Sequence, residues 1–215
     1  MDIKQKSQNS VRCKIILVGD SAVGKTSIIG RYVRKFNEKE KMTIGASFTN
    51  KQEIIDDKNI CFNIWDTAGQ EKFRSINGIF YQDAYICLLV FDITRKQSFS
   101  NLKSYWHNSV LEQSSKNIIF HIVGNKIDLF QQEEIDREEV AEFGKTINAE
   151  ISYISAKNEN STGVDSLFKK MGEKFLESDF YKEIVSSQKT PKKEKLNVDK
   201  QTNEDRKTKN QKRCC

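Results

Sequence analysis

GDSAVGKT, residues Gly19–Thr26, decides the fold of this chain. It directly follows an apolar run at 13–18 and opens a stretch with helical spacing, so strand, glycine-containing turn and helix start come in this order. In such a turn the backbone N–H groups of residues 21–26 point inward at an anion, and the dipole of the new helix reinforces them. A chance turn is the alternative. The flanking strand and helix favour a phosphate-binding site.

The residue types within the turn suit a phosphate group bound together with Mg²⁺. Gly19 and Gly24 let the backbone come close to the phosphates. Lys25 would supply a mobile positive charge to the outer phosphates, and the Thr26 hydroxyl would ligate Mg²⁺. The predicted phosphate-binding residues are Ser21, Ala22, Val23, Gly24, Lys25, Thr26 and Ser27.

The composition predicts one well-cored domain with a basic extension. The chain has 215 residues, of which 37% are apolar and 31% charged, and no apolar run approaches the ~20 residues of a membrane-spanning helix. The net charge is +6, and the segment from Ser178 onward carries eleven Lys or Arg against six Asp or Glu. Since this segment is poor in apolar residues, we expect a disordered tail over 178–215 and a flexible arm over 1–10.

Strands alternate with helices along residues 11–177. This order predicts an α/β fold with a doubly wound, mostly parallel six-stranded sheet, one antiparallel edge strand and about five helices. Two of the strands, 48–55 and 59–66, are joined by the turn Asp56–Lys58, which indicates an antiparallel hairpin with an edge strand. The ligand is then expected at the carboxyl ends of the strands.

WDTAGQ, residues Trp65–Gln70, begins where the third predicted strand ends. Asp66 suits the coordination sphere of a metal ion, the Gly69 amide can approach a γ-phosphate, and Gln70 could orient an attacking water. An ordinary loop is the alternative for this turn taken alone. Thr43, in the loop before the edge strand, would complete the Mg²⁺ shell.

NKID, residues Asn125–Asp128, and SAK, residues Ser155–Lys157, also follow predicted strands and indicate guanine as the base. The Asp128 carboxylate can accept both N–H groups on one edge of guanine, a match that adenine does not offer. Asn125 would tie this loop to the phosphate-binding turn, the NKID lysine stem would cover a face of the base, and the SAK alanine amide would donate to the guanine O6. SAK is informative only because it follows the other motifs. The predicted base-binding residues are Asn125, Lys126, Asp128, Ser155, Ala156 and Lys157.

In this order and at these separations, the motifs resemble those of the Ras superfamily of small GTPases over about residues 12–177. IGASF, EKFRSI and a pair of cysteines, Cys214 and Cys215, resemble the Rab branch. The resemblance implies a P-loop NTPase fold, GTP/GDP and Mg²⁺ as ligands, and slow hydrolysis of GTP with Gln70 and Lys25 as catalytic residues. It also implies that Phe36 packs on the base, and that the loops around Thr43 and after Asp66 are switches.

The Rab resemblance further implies partners and a location. Effectors would bind an aromatic triad of Phe48, Trp65 and Phe80, for which core packing is the alternative. A guanine-nucleotide exchange factor, a GTPase-activating protein, a prenylation escort and a GDP-dissociation inhibitor would act on the protein. Geranylgeranyl groups on the two cysteines would hold it at the membrane surface, on the cytoplasmic face of intracellular membranes, while it cycles with the cytosol. IGASF is most like the endosomal branch, but one pentapeptide leaves the compartment open.

The chain departs from the Rab pattern at two places. Gln82-Asp83 stands where Rabs usually carry Arg-Gly, and the segment between Lys25 and Phe36 is one residue short. Three rival functions differ in the motifs that they need. NKID argues against a P-loop kinase or ATPase, because the motif indicates guanine as the base. A nucleic-acid-binding module has no use for the cysteine pair, and the tail lacks interleaved aromatics. A soluble nuclear-transport GTPase would share the site but not the cysteine pair. The sequence therefore predicts a GTP switch of vesicle trafficking with no nucleic-acid partner.

Overall fold

The computed structural model describes residues 10–37, 43, 45–69, 74–114, 118–158 and 163–189. Six strands of this part of the chain form one sheet in the order β2-β3-β1-β4-β5-β6. Only the pair β2 and β3 is antiparallel within the described sheet, which confirms the predicted class. The strands are β1 Val11–Val18, β2 Ala46–Ile55, β3 Lys58–Thr67, β4 Ile86–Asp92, β5 Ile119–Asn125 and β6 Glu150–Ile154.

Helices lie on both faces of the sheet. A π-helical turn, Leu102–Trp106, joins α3 directly to α4, so these two form one continuous helical body. The five predicted helical regions are all present, and α7 is additional. The helices are α1 Lys25–Tyr32, α2 Arg74–Tyr81, α3 Lys96–Asn101, α4 His107–Gln113, the 3₁₀ turn Ile127–Gln132, α5 Arg137–Thr146, α6 Gly163–Glu177 and α7 Asp179–Lys189.

The central strand β4 is buried at every position, and the carboxyl half of β1 is buried on both faces. Successive side chains of a strand point to opposite faces. In β1, Ile15 and Leu17 pack on the side of α1, α6 and α7, whereas Ile16 and Val18 pack on the side of α3, α4 and α5. Because helices cover both faces of the sheet, a site can form only where the loops follow the carboxyl ends of the strands.

The hairpin between β2 and β3 is tighter than the sequence suggested. Asp56 and Asp57 both adopt positive φ, 47° and 59°, which is the backbone of a two-residue type I′ turn. Ile55 pairs with Lys58 directly across it, so Lys58 belongs to the strand and not to the turn.

The helical spacing that follows the phosphate-binding turn predicts a helix to about Lys35, but α1 ends at Tyr32. Arg34 has a left-handed φ of 61°, and the Lys35 amide donates to the Gly30 carbonyl at 2.7 Å. This is a Schellman ending, in which a residue with positive φ turns the chain away from the helix axis. The Arg34 guanidinium is fixed by Asp165 Oδ2 at 2.7 Å.

The prediction that the disordered tail starts at Ser178 is wrong for residues 179–189. Asp179–Lys189 forms α7, and Phe180, Tyr181 and Ile184 pack against the core on the α6 side of the sheet. The Phe180 ring lies 5.2 Å from the ring of Tyr85, measured between centroids. Apolar contact with the domain supplies the stabilisation that the charged composition of this segment did not suggest. Residues 190–215 and the arm over 1–9 lie outside the described residues.

Candidate functional site

The turn between β1 and α1 is held open by backbone conformations that suit glycine. Gly24 has a φ of 97°, and a Cβ there would lie 2.3 Å from Asn125 Nδ2. Gly19 has a φ of 144°, and a Cβ would lie 2.1 Å from the carbonyl oxygen of Val90. Both positions therefore need glycine for space as well as for backbone conformation. The turn passes directly into α1, which begins at Lys25.

The Lys25 side chain folds back over this turn. Its Nζ donates to the carbonyl oxygens of Gly19 at 2.8 Å and Asp20 at 2.9 Å. Burial lowers the pKa of Lys25 to about 8, against the opposing effect of the Asp66 and Asp20 carboxylates. Within the described residues the Lys25 ammonium hydrogen-bonds only carbonyl oxygens, and an ammonium group beside a helix start is suited to receive phosphate oxygens.

Three oxygen-bearing side chains from separate elements meet beside Lys25. Thr26 Oγ1 donates to Asp66 Oδ2 at 2.5 Å, Thr43 Oγ1 lies 3.2 Å from the same oxygen, and the two hydroxyls are 3.0 Å apart. The other carboxylate oxygen, Asp66 Oδ1, is buried and has no hydrogen-bond partner among the described residues. Burial raises the pKa of Asp66, while the hydrogen bond from Thr26, the charge of Lys25 and the hydrogen bond from Thr43 oppose that rise. A compact set of hard oxygen atoms with one unpaired carboxylate oxygen fits Mg²⁺.

Asn125, at the end of β5, joins the two ends of the site. Its Nδ2 donates to the carbonyl oxygen of Val23 at 2.8 Å, and its Oδ1 accepts from the Ala156 amide at 3.1 Å. The predicted tie between the NKID loop and the phosphate-binding turn is therefore present. The Ala156 amide, which the sequence assigned to the guanine O6, is directed at Asn125 in this structure, so a guanine oxygen would have to share it.

The NKID and SAK loops also contact each other at the mouth of the site. Ser155 Oγ hydrogen-bonds Asp128 Oδ1, which holds the carboxylate in place beside the cavity. Lys126 has a left-handed φ of 71°, and its Nζ pairs with Asp92 Oδ2 at 2.7 Å. The hydrogen bonds from Lys126 and Thr94 keep the pKa of Asp92 below its ordinary value although burial opposes this. Side chains from three strand ends thus meet at the side of the cavity where the sequence predicts that the base binds.

A cavity of about 630 Å³ lies between these groups. Its wall collects most of the predicted nucleotide-binding residues, while Val23 and Ser155 are buried behind it. Gln70, Cys214 and Cys215 lie outside the described residues. The predicted site residues that line the cavity are Ser21, Ala22, Gly24, Lys25, Thr26, Ser27, Phe36, Thr43, Gly69, Asn125, Lys126, Asp128, Ala156 and Lys157.

Arg31 contributes to this site although no motif singled it out. Its Nε donates to the carbonyl oxygen of Ala156 and its second terminal nitrogen to that of Lys157, both at 2.8 Å. Its guanidinium carbon lies 4.1 Å from the centre of the Phe36 ring. One side chain of α1 therefore supports both the SAK loop and the aromatic residue at the cavity edge.

The three aromatic residues assigned to effector binding are neighbours on the surface. The Trp65 ring lies 5.2 Å from that of Phe48 and 5.5 Å from that of Phe80. Phe48 is 49% exposed, so this cluster is not core packing alone. Lys14 lies over the Trp65 ring and donates to the carbonyl oxygen of Gln82 at 2.6 Å.

The departure at position 83 has a structural counterpart. Asp83 has a left-handed φ of 56° just after α2, a conformation in which glycine is the usual residue. An aspartate tolerates this conformation better than most other residues. Here its negative charge raises the pKa of Lys14, which burial lowers overall.

A profile of the Ras family matches residues 14–177, which include every element of the site that the structure describes. The chain belongs to the Ras family. Within the family it is similar to Rab proteins. It is 37% identical over 178 residues to "Ras-related protein Rab-21" of Geodia cydonium, an alignment that covers 82% of this chain and 76% of the relative.

The alignments with two further relatives cover similar shares of both chains. "Ras-related protein Rab-11C" of Dictyostelium discoideum is 38% identical over 186 residues, covering 86% of this chain and 79% of that protein. "Ras-related protein Rab-7a" of Paramecium octaurelia is 36% identical over 167 residues, covering 75% and 80%. The predicted resemblance to a Rab-like small GTPase is confirmed.

As a Ras-family GTPase of the Rab type, this chain is a GTP-binding switch that hydrolyses GTP to GDP and phosphate and acts in vesicle trafficking. Regulators and effectors of the switch belong to this role, and so does association with membranes. In the described part of the chain, no helix is both long and apolar enough to span a bilayer.

Proposed function

We propose that this GTPase switches through a Mg²⁺-dependent contact between Thr43 and the nucleotide. The observation that supports this most strongly is the meeting of Thr26, Thr43 and Asp66, since Thr43 comes from the loop before β2 and the other two from the fixed ends of α1 and β3. In the GTP state Thr26 and Thr43 would hold Mg²⁺, with Asp66 supporting its shell. Mg²⁺ would offset negative charge on the phosphate oxygens.

The remaining roles follow the positions of the side chains around the cavity. Lys25 and the backbone amides of residues 21–26 bind the phosphates, Asp128 selects guanine, and Phe36 covers the base. Gln70 orients the attacking water, and Gly69 contacts the γ-phosphate. A GTPase-activating protein accelerates hydrolysis, an exchange factor releases GDP, and effectors recognise Phe48, Trp65 and Phe80 together with the two switch loops.

The switch contact can be tested with Thr43→Val, which keeps the side-chain shape and removes the hydroxyl. We expect a non-hydrolysable GTP analogue to dissociate about tenfold faster at low millimolar Mg²⁺, equivalent to ~1.4 kcal/mol, with little change for GDP. Thr49→Val, on β2 and away from the cavity, is the matched control. Equal dissociation rates for wild type and Thr43→Val at every Mg²⁺ concentration would remove Thr43 from the metal site.

The membrane anchor is a separate part of the proposal. Cys214 and Cys215 would carry geranylgeranyl groups, because two lipid chains anchor stably where one binds only marginally. A prenylation escort and a GDP-dissociation inhibitor would handle this segment, and the cytoplasmic face of an endosomal membrane is the proposed location. A double Cys214→Ser, Cys215→Ser variant should hydrolyse GTP normally and fractionate as soluble protein. Sedimentation of that variant with membranes in high salt would contradict lipid anchoring.

A further inference from the structure

The peptide between Asp20 and Ser21 forms one wall of the phosphate site, and Gly69 rests against it. A Cβ on Gly69 would lie 2.4 Å from the carbonyl carbon of Asp20 and 2.5 Å from the amide nitrogen of Ser21. Such distances leave no room for any side chain. The position of Gly69 is therefore set by the position of this peptide, which we call the Asp20–Ser21 wall.

The wall is itself fixed from outside by the helical body of α3, the π-helical turn and α4. The Trp106 indole N–H donates to Asp20 Oδ1 at 2.8 Å, and Asn101 Nδ2 donates to Asp20 Oδ2 at 2.7 Å. Both oxygens of the carboxylate thus accept a hydrogen bond from this one helical body. Hydrogen bonds to a charged acceptor are stronger than those between neutral groups.

The donors on that body are held in place by their surroundings. Trp106 is fully buried in the core and ends the π-helical turn, a type of irregularity that is frequent at functional sites. The Asn101 amide is oriented by Gln97, whose Nε2 donates to Asn101 Oδ1 at 2.8 Å. The amide nitrogen of Asn101 is therefore the atom that faces Asp20.

A further bond reaches the second residue of the wall. Arg95, directly before α3, donates from its guanidinium to the carbonyl oxygen of Ser21 at 2.8 Å. On the inner side, Lys25 Nζ donates to the carbonyl oxygen of Asp20 at 2.9 Å. The wall is thus hydrogen-bonded on both sides.

The same helical body also contacts the helix that follows Gly69 in the chain. Helix α2 packs on α4, and a Cβ on Gly78 would lie 1.8 Å from Gln113 Oε1, so the two helices approach closely. The helical body that fixes the wall therefore also contacts α2.

We propose that Asp20, held by Trp106 and Asn101, is a positioning residue. It fixes the peptide against which Gly69 packs, and it thereby lets the protein distinguish GTP from GDP. This inference rests on the proposed function, in which Gly69 contacts the γ-phosphate. A displaced wall would weaken the GTP state more than the GDP state, because only the GTP state also needs Gly69 in place. GDP has no γ-phosphate, so its binding uses the turn and the base-binding loops and does not need the contact with Gly69.

The test uses Asp20→Asn and a complementary exchange in the full-length protein. Asp20→Asn replaces one carboxylate oxygen by an NH₂ group. Two donors then face each other where Asn101 Nδ2 donates to Asp20 Oδ2, so one hydrogen bond is lost. We expect a non-hydrolysable GTP analogue to dissociate about tenfold faster, and GDP less than about threefold faster. Adding Asn101→Asp restores an acceptor opposite the new amide, and the analogue should return to within about threefold of wild type.

A second variant covers the case in which Asp20→Asn fails to fold. Trp106→Phe keeps a buried ring and removes the indole N–H, and it should shift the ratio of analogue to GDP dissociation rates in the same direction. Tyr153→Phe, on β6 and outside the cavity lining, is the control and should leave that ratio unchanged.

Equal acceleration of GDP and analogue dissociation would overturn the inference, and so would a folded double variant that does not recover. A wild-type protein whose GDP and analogue dissociation rates both ignore Mg²⁺ would instead refute the proposed function.

Discussion

Replacing Asn125 by Ala should lower the free energy of unfolding, because it leaves two backbone groups without their hydrogen-bond partner. These groups are the Val23 carbonyl and the Ala156 amide. Asn125 is 2% exposed, and its amide bonds the Val23 carbonyl oxygen at 2.8 Å and the Ala156 amide at 3.1 Å. Val23 and Ala156 are themselves buried, at 0% and 4% exposure. The two residues whose groups the substitution leaves unpaired therefore have little exposed surface.

The cost can be worked from these two contacts. A buried donor or acceptor left without its partner costs about 1–3 kcal/mol, so the pair amounts to roughly 2–6 kcal/mol. For a domain of this size, 1 kcal/mol corresponds to a change of about 2–4 °C in Tm. The lower end of the range already predicts a Tm lower by about 4–8 °C. Because Val23 precedes the phosphate-binding glycine and Ala156 lies in the base-binding loop, part of the loss should appear as faster release of nucleotide.

Both effects can be measured on the GDP complex. Thermal unfolding gives the Tm, and dissociation of a fluorescent GDP gives the release rate, expected to rise at least about tenfold for a loss of 1.4 kcal/mol in binding. Asn50→Ala, an exposed asparagine on β2, is the matched control. A Tm within about 2 °C of wild type, together with an unchanged GDP release rate, would refute the reasoning, since both groups would then be satisfied in some other way.

Three more outcomes are expected. Asp128→Asn should lower GTP affinity at least about a hundredfold and favour xanthosine triphosphate, as competition binding would show. Gln70→Leu should keep GTP bound and slow single-turnover hydrolysis roughly a hundredfold with a GTPase-activating protein present, and an equal rate would remove Gln70 from the reaction. Glu150 has a pKa lowered to about 2 by hydrogen bonds from Lys170 and Lys174. Because the folded pKa lies below the ordinary value of 4.5, the stabilisation is present above pH 4.5 and is lost as the pH falls towards 2. Urea unfolding should therefore separate Glu150→Gln from wild type at pH 7 and bring the two together in acid.

The parts of the site that the sequence predicted are those whose geometry is local. A turn between a strand and a helix places Lys25 and Thr26 by itself, and the ends of parallel strands must meet at one edge of the sheet. Asp66 and Asn125 could be assigned for that reason. The direction of the Ala156 amide could not, because it depends on which acceptor lies closer once the loops have packed.

The contacts that the sequence missed join distant parts of the chain without a local pattern. Arg31 reaches carbonyl oxygens 125 and 126 residues away, and Trp106 reaches a carboxylate 86 residues away. Trp106 is fully buried in the core, and its indole N–H also donates to Asp20 beside the cavity. A one-residue shift by the π-helical turn decides where such a donor points, and hydrophobic periodicity does not show that shift.

The position of α7 is the part of the fold that the sequence predicted least well. Phe180 and Tyr181 have helical spacing with Ile184, but the charge of the surrounding segment outweighed that signal, and the partner ring of Tyr85 lies far away in the sequence. Tyr85 precedes β4, whereas the cavity lies beyond the other end of that strand, which has seven residues and so spans roughly 20 Å. Helix α7 therefore begins at the end of the domain opposite the cavity, and contact with Tyr85, at the amino end of β4, holds it there.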